Sequence, residues 1–310
     1  MEVRILDLDQ SLTCQEELVA QHRPRIVPLA EWGPRIRLGS SWSRFRRFSE
    51  ALAVGCGSQR DTEPTLTLYG SGDFHHVSLA LLHRQSSPFN LVVIDNHPDW
   101  MRGVPFLHCG TWVYHAACLP MVHRIIHIGG DVDFDNYYRW MAPWSWLSSG
   151  KIAVLPARRC FDGKRWTAIP HSALRNGQET VAERIERLLK PFHAELGRLP
   201  LYISLDKDVL GADQAIVNWD SGHLKTHDVH AILSSLIRAA GSCVAGMDIV
   251  GDWSPVTVRG LLRTFLHITE HPRLEIKSDE ATRRNEVTNL ELVRAVLKLC
   301  SQKLGQVSAA

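Results

Sequence analysis

The stretch Leu91–Asp99 constrains this chain more than any other, because an apolar run of strand length ends in the sequence Asp-x-His-x-Asp. Its first half is apolar and mostly β-branched, which is typical of a strand buried on both faces of a parallel sheet. Asp95, His97 and Asp99 therefore fall at the carboxyl end of the strand, where open α/β sheets bind ligands. Two carboxylates and an imidazole are costly to bury together unless a positive charge neutralises them. The stretch predicts a divalent metal site.

Short apolar segments rich in Ile, Val and Leu alternate with helical patterns along the chain, which is typical of α/β proteins. The segments predicted as strands are Val3–Leu6, Thr65–Tyr69, Leu91–Asp95, Ile125–Gly129, Ile152–Leu155, Leu201–Asp206 and Cys243–Ile249. The main predicted helices follow the capping box at Thr180–Glu183, cover Lys225–Ala240 with Thr226 as N-cap, and cover about Asn289–Leu299. No linker marks a boundary, so we predict one α/β domain over residues 1–310, with helices on both faces of a mainly parallel sheet.

Composition narrows the class of protein but names no partner. Hydrophobic residues make up 45% and charged residues 22% of the chain, and the net charge is +2. These values are ordinary for a globular protein and predict neither a nucleic-acid nor a membrane partner. The N-terminus lacks the pattern of a signal peptide and no apolar run reaches about 18 residues, so we expect a cytoplasmic protein. The seven cysteines are scattered without a Cys-x-x-Cys pair, which argues against a disulfide framework and a thiolate zinc site.

Two other predicted strands are followed by aspartate or histidine, which are residue types that bind metals. The strand Leu201–Asp206 leads into Asp208, and because strand side chains alternate, Asp206 and Asp208 point to one side and Lys207 to the other. Thr65–Tyr69 runs into a glycine-rich turn followed by His75 and His76.

If these strand ends are neighbours in the sheet, four carboxylates and two or three imidazoles converge on one pocket. Six nitrogen and oxygen ligands without sulfur suggest two ions, with manganese favoured over zinc by the share of carboxylates. Two ions about 3.5–4 Å apart activate water for attack on an electrophilic carbon, which is metal-assisted hydrolysis.

Three motifs resemble those of one known family. Asp95–Asp99 resembles the Asp-Ala-His-x-Asp signature of the arginase and agmatinase ureohydrolases, and Ser204–Asp208 resembles their Ser-x-Asp-x-Asp signature. Gly72–His75 resembles their Gly-Gly-Asp-His segment. The motifs occur in the same order as in the family, and the resemblance covers roughly Thr65–Pro255.

The resemblance implies a three-layer α/β/α sandwich with two Mn²⁺ ions per chain, and it also implies a homo-oligomer. The implied metal ligands are Asp95 and Asp206 as bridges, His75 and Asp99 on one ion, and His97 and Asp208 on the other. His108, in Leu107–Gly110, resembles a family histidine that passes protons to the leaving amine. The predicted catalytic residues are His108 and the bridging ligand Asp95. The alternative for His108 is a supporting hydrogen-bond partner.

The chain departs from this family where substrate would bind. Gly251 stands where the guanidinium-binding glutamate is expected, and Asp252 is a candidate replacement. The loop after Asp99 lacks the Ser, Thr and Asn groups that arginases use, and it offers Trp100 and Arg102 as candidate substrate contacts.

His76, the fourth candidate substrate contact, belongs to a second resemblance. The pair His75-His76 resembles the Gly-Gly-x-His-His segment of histone deacetylases, distant relatives of this fold that use one zinc ion.

We therefore predict a binuclear manganese hydrolase that cleaves a C–N bond in a small guanidino, amidino or linear amide compound. One alternative is a Zn²⁺-dependent deacetylase-like amidohydrolase, and another is a metal-binding relative without turnover. The tryptophan-rich segment Trp140–Arg175 is interpreted either as a packed excursion at the sheet edge or as a lid or subunit contact.

Overall fold

An eight-stranded parallel sheet runs through the centre of the fold. The structure is a computed structural model that describes residues 1–57, 63–102, 105–130, 134, 136–156, 159–161, 166–168, 180–241, 243–258, 261–270 and 276–307. The strands of these ranges are β1 (Glu2–Asp7), β2 (Arg25–Pro28), β3 (Gly39–Ser40), β4 (Thr65–Leu68), β5 (Phe89–Asp95), β6 (Leu107–His108), β7 (Val122–Gly129), β8 (Ile152–Leu155), β9 (Arg159–Phe161), β10 (Trp166–Ala168), β11 (Leu201–Asp206) and β12 (Val244–Val250). The strand order of the eight-stranded sheet is β2-β1-β4-β12-β11-β5-β7-β8.

Helices cover both faces of this sheet. The α-helices of the described ranges are α1 (Glu16–His22), α2 (Gly33–Ile36), α3 (Trp42–Cys56), α4 (Val77–Leu82), α5 (Trp112–Ala117), α6 (Trp144–Ser148), α7 (Val181–Leu189), α8 (His193–Leu196), α9 (Thr226–Ala239), α10 (Leu261–Glu270) and α11 (Ser278–Val307). None of them is long and apolar enough to cross a bilayer.

Each face of the sheet has its own hydrophobic core, because neighbouring side chains of a strand point in opposite directions. On β5, Val92 and Ile94 belong to the core shared with α1, α7, α9 and α11. Leu91 and Val93 belong to the core shared with α3, α4 and α5. The structure thus has the three layers α/β/α, and the predicted fold class is confirmed.

The seven predicted strands are all present, with ends that shift by at most three residues. The sequence did not reveal β2, because this edge strand is mostly exposed and ends in proline. The last helix begins at Ser278 rather than near Asn289. The first half of this helix buries Ala281, Asn285 and Thr288 at helical spacing. Because most of these residues are polar, the sequence there lacks the apolar periodicity that predicts a helix. The N-cap of α9 is Lys225, one residue before the predicted Thr226.

The segment Trp140–Arg175 starts within a short 3₁₀ helix, Tyr137–Met141, and continues through α6 and β8 to the antiparallel pair β9 and β10. The side chains of Trp140 and Trp144 are 71% and 49% exposed. The rest of this segment, at 157–158, 162–165 and 169–175, lies outside the described residues.

Candidate metal centre

The predicted metal ligands meet at the carboxyl ends of β4, β5 and β11. In the sheet β11 lies beside β5, and β4 is separated from β11 by β12 alone. Asp95 and Asp206 are the last residues of their strands, and His75 follows the 3₁₀ turn Gly72–Phe74 after β4. The expectation that these strand ends are close together is therefore confirmed by the sheet order.

His75, Asp95 and Asp99 form a first group whose potential ligand atoms all lie within 4.8 Å of one another. The Nδ1 atom of His75 is 3.1 Å from Oδ2 of Asp95 and 3.0 Å from Oδ2 of Asp99. Oδ2 of Asp206 lies 3.4 Å from the same nitrogen. One imidazole nitrogen thus faces three carboxylates.

Asp95, His97 and Asp208 form a second group of the same size. The Nδ1 atom of His97 is 2.6 Å from Oδ2 of Asp208. Asp95 belongs to both groups, so it stands between them. This arrangement is the one expected of a carboxylate that bridges two metal ions.

The donor atoms fit a cation. His75 Nδ1 and Asp95 Oδ2 are buried and have no hydrogen-bond partner among the described residues. Buried polar atoms are rarely left unsatisfied, so such atoms call for a ligand. The donor set of oxygen and imidazole nitrogen, without sulfur, suits Mn²⁺ better than a structural zinc site.

Burial and mutual repulsion shift the acids toward their neutral forms. Burial, strengthened by neighbouring carboxylates, raises the pKa of Asp95 and Asp206 to about 7 and that of Asp208 to about 6. Burial lowers the pKa of His97, but contact with Asp208 outweighs this effect and raises the pKa to about 10. A bound cation would favour the deprotonated forms that ligate metal.

A chain of hydrogen bonds below the centre fixes the orientation of His75. Its Nε2 atom is 3.0 Å from the hydroxyl of Ser204, which donates to Oδ1 of Asp248 at 2.7 Å. Tyr202 also donates to Asp248, at 2.9 Å. With Nε2 bound in this way, Nδ1 presents its lone pair to the acids, which is the usual role of residues that support a metal ligand.

Asp99 and His108 are held by local geometry. Asp99 adopts a left-handed conformation (φ +50°), which aspartate tolerates better than most residues, and its Oδ2 accepts a hydrogen bond from the indole of Trp112 at 2.9 Å. The Nδ1 atom of His108 accepts the main-chain N–H of Gly110 at 3.1 Å. Neutral His108 therefore carries its proton on Nε2.

A pocket of about 250 Å³ opens onto the two groups. The residues that line it are Gly72, Asp95, His97, Pro98, Asp99, Met101, His108, Cys109, Gly110, Tyr138, Asp206, Asp208, Trp219 and Asp220. All the predicted metal ligands except the buried His75, together with His108, are in this lining.

No protein-family model matches the chain. An uncharacterized protein of Thermotoga maritima is 28% identical over 191 residues, which are 62% of this chain and 59% of that relative's length.

Solved structures match nearly the whole chain. The proclavaminate amidino hydrolase of Streptomyces clavuligerus has a TM-score of 0.57 at 13% identity, over 97% of this chain and 92% of that one. An Entamoeba histolytica arginase in complex with L-ornithine has a TM-score of 0.56 at 10% identity, over 96% and 99%. Formimidoylglutamase of Bacillus subtilis has a TM-score of 0.53 at 15% identity, over 98% and 88%. The chain has the arginase-like fold. The resemblance seen in the three motifs is thereby confirmed for the fold.

Within this arginase-like fold, position 251 has no room for a side chain. Gly251 has φ +104°, and a Cβ atom there would lie 2.5 Å from Oδ1 of Asp206 and 2.8 Å from the main-chain nitrogen of Lys207. The missing glutamate is therefore excluded by the backbone itself.

Asp252, the candidate replacement for that glutamate, lies outside the pocket lining. It is buried and forms an ion pair with Lys207, with 2.8 Å between Oδ2 and Nζ. Its Oδ1 atom accepts hydrogen bonds from Gln15 at 2.9 Å and Asn289 at 3.0 Å. Both carboxylate oxygens therefore have buried partners, and the structure gives no support to a role of Asp252 in substrate binding.

The other three candidate substrate residues also lie outside the pocket lining. His76 is fully buried, with its ring 6.3 Å from that of Phe45. Trp100 is buried against His127, with 5.3 Å between ring centroids. Arg102 is exposed, and its main-chain N–H donates to the carbonyl of Met141.

The structure brings residues into the pocket that motif reasoning did not single out. Trp219 and Asp220 lie in the segment Asn218–Gly222, which follows the last proposed ligand, Asp208, along the chain. Tyr138 lies in the 3₁₀ helix Tyr137–Met141, two residues before the start of the tryptophan-rich segment, where no local pattern indicates a site.

Proposed function

We propose that this protein is a metal-dependent hydrolase that cleaves a C–N bond in a small amidino, guanidino or linear amide compound. The observation that carries the proposal is the position of Asp95, which is shared by two His/Asp groups at the carboxyl edge of the sheet. Structural neighbours named as an amidino hydrolase, an arginase and a formimidoylglutamase support this class of reaction.

Two manganese ions are the proposed cofactors. Asp95 and Asp206 would contact both ions, His75 and Asp99 one of them, and His97 and Asp208 the other. When bound, such ions supply an activated water and polarise the carbon that it attacks. Four carboxylates against two imidazoles favour Mn²⁺, and Zn²⁺ is the alternative.

His108 is the proposed proton donor to the leaving nitrogen. It lines the pocket, and the bond from Gly110 to Nδ1 leaves the proton on Nε2. To act as the donor, His108 first takes a proton from the attacking water and becomes an imidazolium. The imidazolium gives that proton to the leaving nitrogen as the C–N bond breaks, and the neutral ring is restored. Asp95 takes part as a ligand at the reacting centre rather than as a proton carrier.

A second candidate function is deacylation of an amide with zinc. The closed position 251 and the pairing of Asp252 favour it. Among the described residues that line the pocket, the only buried carboxylates are those of the proposed metal ligands, so none of them is left to pair with a guanidinium. His76 no longer supports this candidate, since it lies outside the pocket lining. A homo-oligomer and a cytoplasmic location stay predictions.

The test is a substrate panel of guanidines, amidines and linear amides, run with Mn²⁺ and with Zn²⁺. Release of ammonia or urea that depends on manganese and disappears in Asp206→Ala would support the main proposal, whereas release of acetate with zinc would support deacylation. The matched control is Asp213→Asn, an exposed aspartate outside this pocket. Tight metal binding without hydrolysis anywhere in the panel would instead indicate a metal-binding protein without turnover.

A further inference from the structure

One acid in the pocket is not explained by the metal centre. The aspartates that line the pocket are Asp95, Asp99, Asp206, Asp208 and Asp220. The first four are the proposed ligands, and their four negative charges balance two divalent cations. Asp220 is left over, and among the described residues no cation pairs with its carboxylate.

The main chain around Asp220 is fixed on both sides. The side-chain amide of Asn96, which follows the proposed ligand Asp95, donates to the carbonyl of Asp220 at 3.0 Å. The main-chain N–H of Gly222 donates to the carbonyl of Asp208 at 2.5 Å. A Cβ at position 222 would lie 2.1 Å from the carbonyl oxygen of Val209, so this close approach requires glycine.

Trp219 anchors the same segment and provides an aromatic wall. Its indole N–H donates to Oδ1 of Asp73 at 3.0 Å, and Asp73 is held by a buried ion pair with Arg37. The indole ring lies 5.9 Å from the ring of His97. Asp220 therefore sits on a loop that hydrogen bonds hold in place, next to Trp219 in sequence, and both residues line the pocket.

Asp220 differs from the proposed ligands in its exposure. It is exposed, whereas Asp95, Asp206 and Asp208 are buried, so it belongs to the solvent side of the pocket lining. A positive group that pairs with Asp220 therefore belongs to the end of the substrate remote from the reacting carbon. Met101, Tyr138 and Trp219 line the space with apolar surface that suits a short carbon chain.

We propose that Asp220, with Trp219 beside it, selects substrates that carry a positive charge at the end remote from the C–N bond that is cleaved. This inference rests on the proposed function for the identity of that bond. The selection itself is a binding property, so it is measurable without turnover. A carboxylate next to an aromatic face recognises alkylammonium groups by charge and by cation–π attraction.

The experiment is calorimetric titration at low salt with linear primary alkylamines of three to six carbons, and with alcohols and carboxylates of the same lengths. The protein is tested with and without Mn²⁺. We expect amines to bind more tightly than alcohols and carboxylates to bind most weakly. In Asp220→Asn, amine binding should weaken by about fivefold, the upper range for an exposed ion pair, while alcohol binding stays unchanged.

The matched control is Glu50→Gln, which removes one negative charge from an exposed position on α3. Equal binding of amines and alcohols, or an amine preference that survives in Asp220→Asn, would overturn the inference. Loss of the preference in Glu50→Gln as well would also overturn it, since the effect would then come from net charge. Absence of hydrolysis would count against the proposed function and leave this binding result intact.

Discussion

A buried network behind the metal centre gives the sharpest prediction about stability. Lys207 lies between the proposed ligands in sequence, and its ammonium is fully buried against Asp252 and Asn289, at 2.8 and 2.9 Å. Gln15 closes the network by donating to Asp252. Burial lowers the pKa of Lys207 and raises that of Asp252, and their mutual attraction opposes both shifts without cancelling either. Removal of either partner should therefore leave the other charge buried and unpaired.

The magnitude follows from this burial. Breaking a fully buried ion pair by removing one partner costs about 3–5 kcal/mol, so Asp252→Asn and Lys207→Met should each lower the free energy of unfolding by that amount. The double variant removes both charges. Its main remaining cost is the side-chain oxygen of Asn289, which loses the hydrogen bond from Lys207, at about 1–3 kcal/mol. The double variant should thus be more stable than either single one.

The assay is urea denaturation, performed with manganese and with a chelator so that changes in metal binding are separated from changes in folding. The control is Asp213→Asn, whose ion pair with Lys225 is exposed, and its denaturation midpoint should not move. The reasoning is refuted if Asp252→Asn unfolds at the same urea concentration as the unmodified protein. It is also refuted if the losses in the two single variants simply add in the double one.

Two further predictions concern the pocket. His108→Gln should keep the metal content, because His108 is not a proposed ligand, and should lower kcat by about 10²–10⁴-fold; an unchanged kcat would exclude His108 as proton donor. Gly251→Ala should lose about 1–3 kcal/mol from backbone strain and also bind metal more weakly, because the new Cβ meets Asp206. Gly57→Ala, which has a similar φ of +95° in open space, should lose stability without a change in metal binding, as measured by dialysis against manganese.

Much of the fold could be predicted from the sequence because buried parallel strands consist of continuous runs of apolar residues. Leu91–Asp95 and Leu201–Asp206 are such runs, and both are central strands. The strand β2 was not predicted, because an edge strand has little apolar surface to bury. The first half of α11 was not predicted either, because its buried face is mostly polar. Asn285 and Asn289 on this face form hydrogen bonds with main-chain and side-chain groups. The single-domain organisation over 1–310 stays a prediction.

The grouping of the proposed metal ligands was easier to predict than the rest of the pocket lining, for a physical reason. The proposed ligands are neighbours in sequence or follow strands that lie close together in the sheet, so alternation and strand order bring them together. Contacts such as Lys207 with Asp252, or Trp219 with Asp73, join distant segments and leave no local pattern. The direction of Asp252 depends on the turn at Gly251, which the motif alone does not specify.

Metal stoichiometry tests the central claim most directly. Equilibrium dialysis against Mn²⁺, followed by elemental analysis, should find two ions per chain. Because Asp95 belongs to both His/Asp groups, Asp95→Asn should weaken both ions together, whereas the control Asp213→Asn should retain two. One ion or fewer per chain, or two ions that Asp95→Asn leaves undisturbed, would contradict a centre built around Asp95.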